Sequence, residues 1–111
     1  MTLNEYQELA QRTTIPTLDD YGHLMNGLLG LAGEAGECCD LAKKHFYQDG
    51  REIRNNLLDE VGDVMWYIAE IASAMGVTLE DIAQHNVDKL RKRYPQGFDA
   101  DRSLHREEYE V

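Results

Sequence analysis

The stretch that decides the fold opens with Glu34-Ala35-Gly36-Glu37 and closes with Glu60-Val61-Gly62-Asp63. Each end carries two acids three residues apart, within a segment whose apolar residues recur at helical spacing. Residues at this spacing share one side of an α-helix, so each pair projects as a fork. If the two helices pack antiparallel, we expect the forks to face each other and to bring four carboxylates together.

The apolar pattern on either side of this stretch predicts an all-α fold, a four-helix bundle with two long central helices and two shorter ones. Helix caps and turn residues set the ends of these elements. The pattern contains no strand. We expect one helical domain over residues 1–96 and a charged tail over 97–111, either flexible or laid over a neighbouring surface. The predicted helices cover about 3–13, 20–46, 53–75 and 79–94.

The composition limits the classes of partner. A net charge of −10, from 21 acids against 11 Lys and Arg, argues against binding of a nucleic acid polymer. A nucleotide is still compatible, because a bound divalent cation reverses the charge locally. The sequence has neither a signal peptide pattern nor an apolar run of about 18 residues. We therefore expect a cytoplasmic protein without a membrane partner.

Four glycines follow one another at three-residue spacing in the first long helix: Gly27, Gly30, Gly33 and Gly36. Each costs about 1 kcal/mol relative to alanine in a helix interior. A phosphate-binding P-loop does not explain them, since no preceding strand and no following Gly-Lys-Ser/Thr is present. We expect them to allow close packing beside the acids.

Acid pairs at this spacing are also common on solvated helix faces. These pairs, however, flank the apolar stripes, where helix packing would bring them together with few basic residues near them. A di-iron carboxylate site would need His three residues after Glu34 and Glu60, where the chain has Glu37 and Asp63. An all-oxygen site favours Mg²⁺, with Mn²⁺ as a possible substitute. Donors for phosphate oxygens share one face of the last helix: Asn86, Lys89 and Arg93.

At these residues the chain resembles the MazG nucleoside triphosphate pyrophosphohydrolases. The matching segments are 30–37, 59–67, 86–90 and 93–98, with 22 residues between the acid pairs. The resemblance implies a helical enzyme that works as a homodimer or a dimer of dimers. It also implies Mg²⁺-dependent hydrolysis of (deoxy)nucleoside triphosphates to monophosphate and pyrophosphate, as in nucleotide-pool housecleaning. One departure is Cys38, which replaces an acid often found after the second Glu.

The resemblance also implies residue roles. Glu34 and Glu37 would be catalytic, with Glu37 or a neighbour orienting or deprotonating the attacking water. Asn86 and Lys89 would contact the phosphates. The implied metal ligands are Glu34, Glu37, Glu60 and Asp63. The other implied substrate contacts are Arg93 and Lys44 for phosphate, and His23, Asn26 and Tyr67 for base and sugar.

A homo-oligomer is also expected from helix length. Two helices of about 23–27 residues span about 35–40 Å, more than two short flanking helices can cover. The competing hypothesis is a non-enzymatic helical dimer, a regulatory or interaction module that keeps the acids for structure. The sequence does not identify the preferred base.

Overall fold

The structure, a computed structural model, describes residues 1–109, with side chains to residue 108. In this part of the chain the backbone forms helices and one isolated bridge between Pro95 and Gly97, but no strand. The all-helical prediction is confirmed. The four predicted helices agree with α1 to α4 within two residues at each end. The helices are α1 (Leu3–Gln11), α2 (Asp20–Tyr47), α3 (Arg54–Ala74), α4 (Leu79–Arg93), α5 (Ala100–Leu104) and α6 (Arg106–Tyr109).

Local caps account for these boundaries. The Thr2 hydroxyl accepts a hydrogen bond from the Glu5 amide at the start of α1. Asp19 does the same for the Gly22 amide at the start of α2. After α3, Gly76 adopts a φ of 72°, the left-handed conformation that ends helices and that glycine adopts without strain. Within residues 1–109, no helix combines the length and apolar character that a membrane span requires.

The segment predicted as a charged tail contains α5 and α6. Asp99 caps α5 by accepting a hydrogen bond from the Arg102 amide, and the Arg102 guanidinium donates to the carbonyls of Lys92 and Arg93. Helices of five and four residues are too short to show an apolar period, which is why the sequence pattern missed them. Residues 110 and 111 of the predicted tail lie outside the described residues.

The chain forms two compact units, Met1–Leu79 and Glu80–Val111. The first contains α1, α2 and α3, together with the first residue of α4. The second contains the rest of α4, α5 and α6. The boundary predicted near residue 96 stays a prediction.

Helices α2 and α3 of the first unit run antiparallel and approach closely. A Cβ atom built on Gly27 would lie 2.6 Å from Cγ1 of Ile71, and one built on Gly30 would overlap the ring of Tyr67. The same construction at Gly33 and Gly36 meets no atom within 4 Å. Close packing therefore explains the first two glycines of the series and leaves the other two unexplained.

Helix α1 packs against α3 around a small buried core. The buried hydrophobic residues of the first unit are Ala10, Ala69, Ala72 and Leu79. Gln7 is also buried, and its amide nitrogen donates to the Ser73 hydroxyl and the Val77 carbonyl while its oxygen accepts from the Leu79 amide. This hub fixes α1 to the C-terminal end of α3.

The long helices keep much of their apolar surface exposed. The exposed fraction is 45% for Leu28, 68% for Leu29, 60% for Leu58 and 46% for Val61. Large apolar side chains exposed to this extent often mark a contact site. The single chain thus covers only part of the predicted apolar stripes.

Candidate metal and nucleotide site

Three of the four predicted acids come together where α2 and α3 cross. Glu34, Glu60 and Asp63 each offer a carboxylate oxygen, and these oxygens all lie within 4.8 Å of one another. The antiparallel packing produces this arrangement, because Gly30 lies against Tyr67 and Glu34 follows one turn later on α2. Three negative charges at this separation repel one another unless a proton or a cation lies between them.

Hydrogen bonding, burial and repulsion all act on the pKa of Glu60 in this group. The pKa of Glu60 is raised by a hydrogen bond with the Glu34 side chain, by burial, and by the negative charges of Glu34 and Asp59. One oxygen of Glu34, Oε2, is buried and has no hydrogen-bond partner among the described residues. A buried carboxylate oxygen without a donor is costly, and a hard cation is the partner that suits it. The residues present therefore fit a divalent metal with oxygen ligands.

Glu37 lies outside this group. Its side chain is exposed on α2, one turn after Glu34, and the structure does not bring it within the 4.8 Å cluster. The pKa of the thiol of the neighbouring Cys38 is raised by burial and by the charges of Glu60, Cys39 and Glu34. Cys38 therefore stays a neutral thiol beside the carboxylates.

An open pocket of about 400 Å³ adjoins the acids. Its aromatic wall consists of Trp66 and Tyr67, whose rings meet edge to face at a centroid distance of 5.0 Å. Thr13, from the connection between α1 and α2, lines the same pocket together with Glu34 and Asp63. Tyr67 was predicted to contact base or sugar. Nothing in the sequence pattern pointed to Thr13 in this role.

Another carboxylate, that of Glu70, is completely buried two turns after Asp63 on α3. Its side chain accepts hydrogen bonds from His23 Nδ1 at 2.9 Å, from the Asn26 amide at 2.6 Å and from the Thr14 hydroxyl. Burial, the largest effect, would raise the pKa of Glu70, but these donors and the charge of His23 lower it. This residue was not predicted from the sequence, although an acid between Ala69 and Ile71 on an apolar helix was a possible signal.

The predicted phosphate contacts are divided between the two units. Asn86 and Lys89 are exposed on α4 in the second unit, whereas the acids belong to the first. The guanidinium of Arg93 lies 5.7 Å from the centre of the Tyr94 ring. On α2, the Lys44 ammonium forms an ion pair with Asp40 at 2.7 Å.

These features define an all-helical protein with a group of carboxylates suited to a divalent cation, next to an aromatic pocket. The sequence model of the MazG nucleotide pyrophosphohydrolase domain matches residues 24–98, and the chain belongs to this family. The match includes all four predicted acids and the residues from Asn86 to Arg93. The predicted family is thereby confirmed.

Two curated proteins are similar to the chain. The Gene 37 protein of Mycobacterium phage L5 is 42% identical over 73 residues, which cover 62% of this chain and 64% of the phage protein. The uncharacterized protein YvdC of Bacillus subtilis strain 168 is 42% identical over 43 residues, covering 39% of this chain and 41% of YvdC. The chain thus spans less than two thirds of the length of either relative. No solved structure matches it significantly.

The raised pKa of Glu60 predicts a pH dependence of stability in metal-free protein. A carboxyl whose folded-state pKa exceeds its ordinary value of 4.5 contributes stability below 4.5 and loses that contribution as pH rises through the folded-state pKa. We expect urea unfolding in EDTA to show this loss above pH 4.5. Over the same pH range, the Glu60→Gln variant should lose less stability than the wild-type protein. An identical pH dependence in both proteins would contradict the prediction.

Proposed function

We propose that the chain hydrolyses (deoxy)nucleoside triphosphates to the monophosphate and pyrophosphate with Mg²⁺, or with Mn²⁺ as a substitute. The observation that carries this proposal is the cluster of Glu34, Glu60 and Asp63 with its buried, unpartnered Glu34 oxygen. Membership of the MazG family supports a nucleotide pyrophosphohydrolase as the class of enzyme. Within that class, the role is nucleotide-pool housecleaning.

Each acid has a task in this proposal. Glu34, Glu60 and Asp63 hold Mg²⁺, which neutralises phosphate charge and lowers the pKa of a water nucleophile when bound. Glu37 is the fourth acid of the motif. Its exposed carboxylate lies outside the cluster, and it would act either as a further ligand or to orient the attacking water. Glu34 shares the catalytic role, because its carboxylate belongs to the cluster and also lines the pocket.

The parts of the substrate are assigned to different residues in this proposal. Tyr67 and the pocket beside it receive the base and sugar, because an aromatic ring next to the phosphate site suits a flat, partly apolar group. Asn86 and Lys89 contact the phosphates by charge-assisted and amide hydrogen bonds, with Arg93 and Lys44 in supporting roles. Lys44 must leave its ion pair with Asp40 to do so.

A metal-binding experiment tests the proposal without relying on turnover. Titrating Mn²⁺ into the protein, followed by electron paramagnetic resonance, should show tighter binding when a non-hydrolysable nucleoside triphosphate analogue is present. The two ligands should strengthen each other's binding, because the triphosphate supplies oxygen ligands to the same ion. If the affinity for Mn²⁺ is the same with and without the nucleotide analogue, the result would instead favour the non-enzymatic helical module.

We expect Glu37→Gln to abolish turnover while the fold stays intact. The amide keeps the shape of the side chain but cannot take a proton from water or bind Mg²⁺ as a carboxylate does. Product formation from a deoxynucleoside triphosphate measures the effect, and circular dichroism checks the fold. Glu8→Gln makes the same chemical change on the exposed face of α1 and should keep full activity. Full activity in the Glu37 variant would refute its assigned role.

The apolar surface of α2 and α3 also leads us to propose a homodimer, or a dimer of dimers, in which the bundle is completed. Sedimentation velocity at micromolar concentration should give the mass of at least two chains. Leu58→Lys places a charge in the exposed apolar surface and should shift the protein towards monomer. Leu104→Lys makes the same change at an exposed residue of α5 and should not. A monomeric wild-type protein would contradict this prediction.

A further inference from the structure

We propose that Glu70 is a positioning residue for the nucleoside pocket. Through Thr14 it holds the connection between α1 and α2 against α3, so that Thr13 stays in the wall of the pocket beside the acids. The inference rests on the proposed function for its kinetic consequence. Its structural part, the placement of this connection by a buried carboxylate, does not depend on that function.

The buried carboxylate ties three segments of the first unit together. Glu70 comes from α3, His23 and Asn26 come from α2, and Thr14 comes from the connection between α1 and α2. All three partners donate to the one carboxylate. Because a carboxylate only accepts hydrogen bonds, His23 must carry its proton on Nδ1. Glu70 is therefore the point at which the connection is fixed to both long helices.

Two adjacent residues of the connection bind α3 at separate points. Thr14 donates its hydroxyl to Glu70. The hydroxyl of Thr13 accepts a hydrogen bond of 2.7 Å from the indole nitrogen of Trp66, which also donates to the Ala10 carbonyl at 3.1 Å. Thr13 and Trp66 both line the pocket beside the acids. Release of Thr14 would therefore disturb the contact that forms this wall.

Glu70 is too far along α3 to act on the phosphates itself. It follows Asp63 by seven residues, which is two helical turns or about 10 Å. Tyr67 lies between them on the same side of the helix and packs over Gly30. The effect of Glu70 on a substrate must therefore pass through the residues that it holds.

The network also assigns a different task to two predicted substrate contacts. His23 and Asn26 were expected to bind base and sugar, but the His23 Nδ1 and the Asn26 amide are engaged by Glu70. In this inference they fix the carboxylate instead. Thr13, Trp66 and Tyr67 are then the side chains left to contact the nucleoside.

Glu70→Gln is the smallest change that tests whether Glu70 positions the connection between α1 and α2. Three donors converge on the carboxylate, and glutamine would turn an NH₂ group towards at least one of them. We expect KM for the preferred nucleotide to rise by about tenfold, the factor that matches loss of one hydrogen bond to a charged group, with kcat changed less than about twofold. Trp66 is the only tryptophan, so its fluorescence quenching by acrylamide should increase as Thr13 is released.

A matched control separates positioning from general stability. Gln7→Met breaks another buried polar hub of the same unit, the one that joins α1 to Ser73 and Leu79. It should lower stability without raising KM. If Glu70→Gln fails to fold, Thr14→Val removes the linking hydroxyl alone and should raise KM and Trp66 quenching. Thr14→Ser retains the hydroxyl and should show wild-type values of KM and of Trp66 quenching.

The outcomes distinguish this inference from the proposed function. If wild-type protein turns over no nucleotide, the proposed function fails, and Trp66 quenching alone decides whether Glu70 positions the connection. The inference is supported if acrylamide quenching of Trp66 increases in Glu70→Gln and Thr14→Val and stays at the wild-type level in Thr14→Ser. Unchanged quenching in the variants overturns it, as does a fall in kcat with KM unaltered.

Discussion

Replacing Glu60 by glutamine is expected to lower Mg²⁺-dependent turnover by more than about a hundredfold, which exceeds the loss usually caused by removing an outer-shell partner of a metal ligand. The same variant should be more stable than wild type when metal is absent. Both effects have one cause. Glu60 adds negative charge to a cluster that already contains Glu34 and Asp63, and this charge repels them unless a cation is bound.

Turnover measured at saturating Mg²⁺, together with urea unfolding in EDTA, tests the two effects in one protein preparation. Asp59→Asn is the matched control, because it removes a charge from the adjacent, exposed residue outside the cluster. It should leave turnover within a few-fold of wild type. A Glu60→Gln protein that keeps its activity, or that is destabilised without metal, would contradict the assignment of these acids to a cation site.

Replacing Glu70 by alanine is expected to lower the free energy of unfolding by about 3–5 kcal/mol, the range for removing one partner of a buried charged network. Thr14, His23 and Asn26 would each lose their acceptor in the protein interior. Urea unfolding followed by circular dichroism at pH 7 measures the loss. Asp59→Ala removes an exposed acid from the same helix and should change stability by less than about 0.5 kcal/mol.

The direction of the Glu70 pKa shift adds a pH test to this comparison. A carboxyl with a lowered folded-state pKa contributes stability above its ordinary value of 4.5 and loses it as pH falls through the folded-state pKa. The gap in stability between wild type and Glu70→Ala should therefore narrow below pH 4.5. If the difference in stability between wild type and Glu70→Ala is small at pH 7, or grows in acid, the carboxylate is not the acceptor of this network.

Much of the fold followed from local rules. Thr2 and Asp19 cap the starts of α1 and α2 through backbone amides three residues further on, and the left-handed Gly76 follows the end of α3. Because these effects are local, the sequence pattern predicted these helix ends closely. The short helices after Asp99 could not be predicted in this way, since they depend on a cap and on the contact of Arg102 with the end of α4. Apolar periodicity cannot detect helices of that length.

The candidate site was predictable only in part, for a geometric reason. Spacing along a helix fixes the angle of a side chain about its own axis, but not its distance from the neighbouring helix. Glu34 lies opposite Glu60 and Asp63, whereas Glu37 lies one turn, about 5 Å, further along α2. Both acids share a side of the helix, yet only Glu34 reaches the other two carboxylates in this structure.

Glu70 could not have been identified by spacing alone. Its donors are 44 to 56 residues away in sequence, and they converge only because the connection after α1 folds back over α2 and α3. A buried acid in an apolar helix indicates that partners must exist. Which residues they are is a property of the tertiary packing. The same holds for Thr13, whose place in the pocket depends on its contact with Trp66.

The central claim is that the acid cluster supports hydrolysis between the α- and β-phosphates. Incubating the protein with Mg²⁺ and a panel of deoxynucleoside triphosphates, then separating the products, tests it most directly. We predict nucleoside monophosphate and pyrophosphate in equal amounts, lost on addition of EDTA and in Glu60→Gln. Nucleoside diphosphate with orthophosphate, or no turnover with any nucleotide, would contradict the claim.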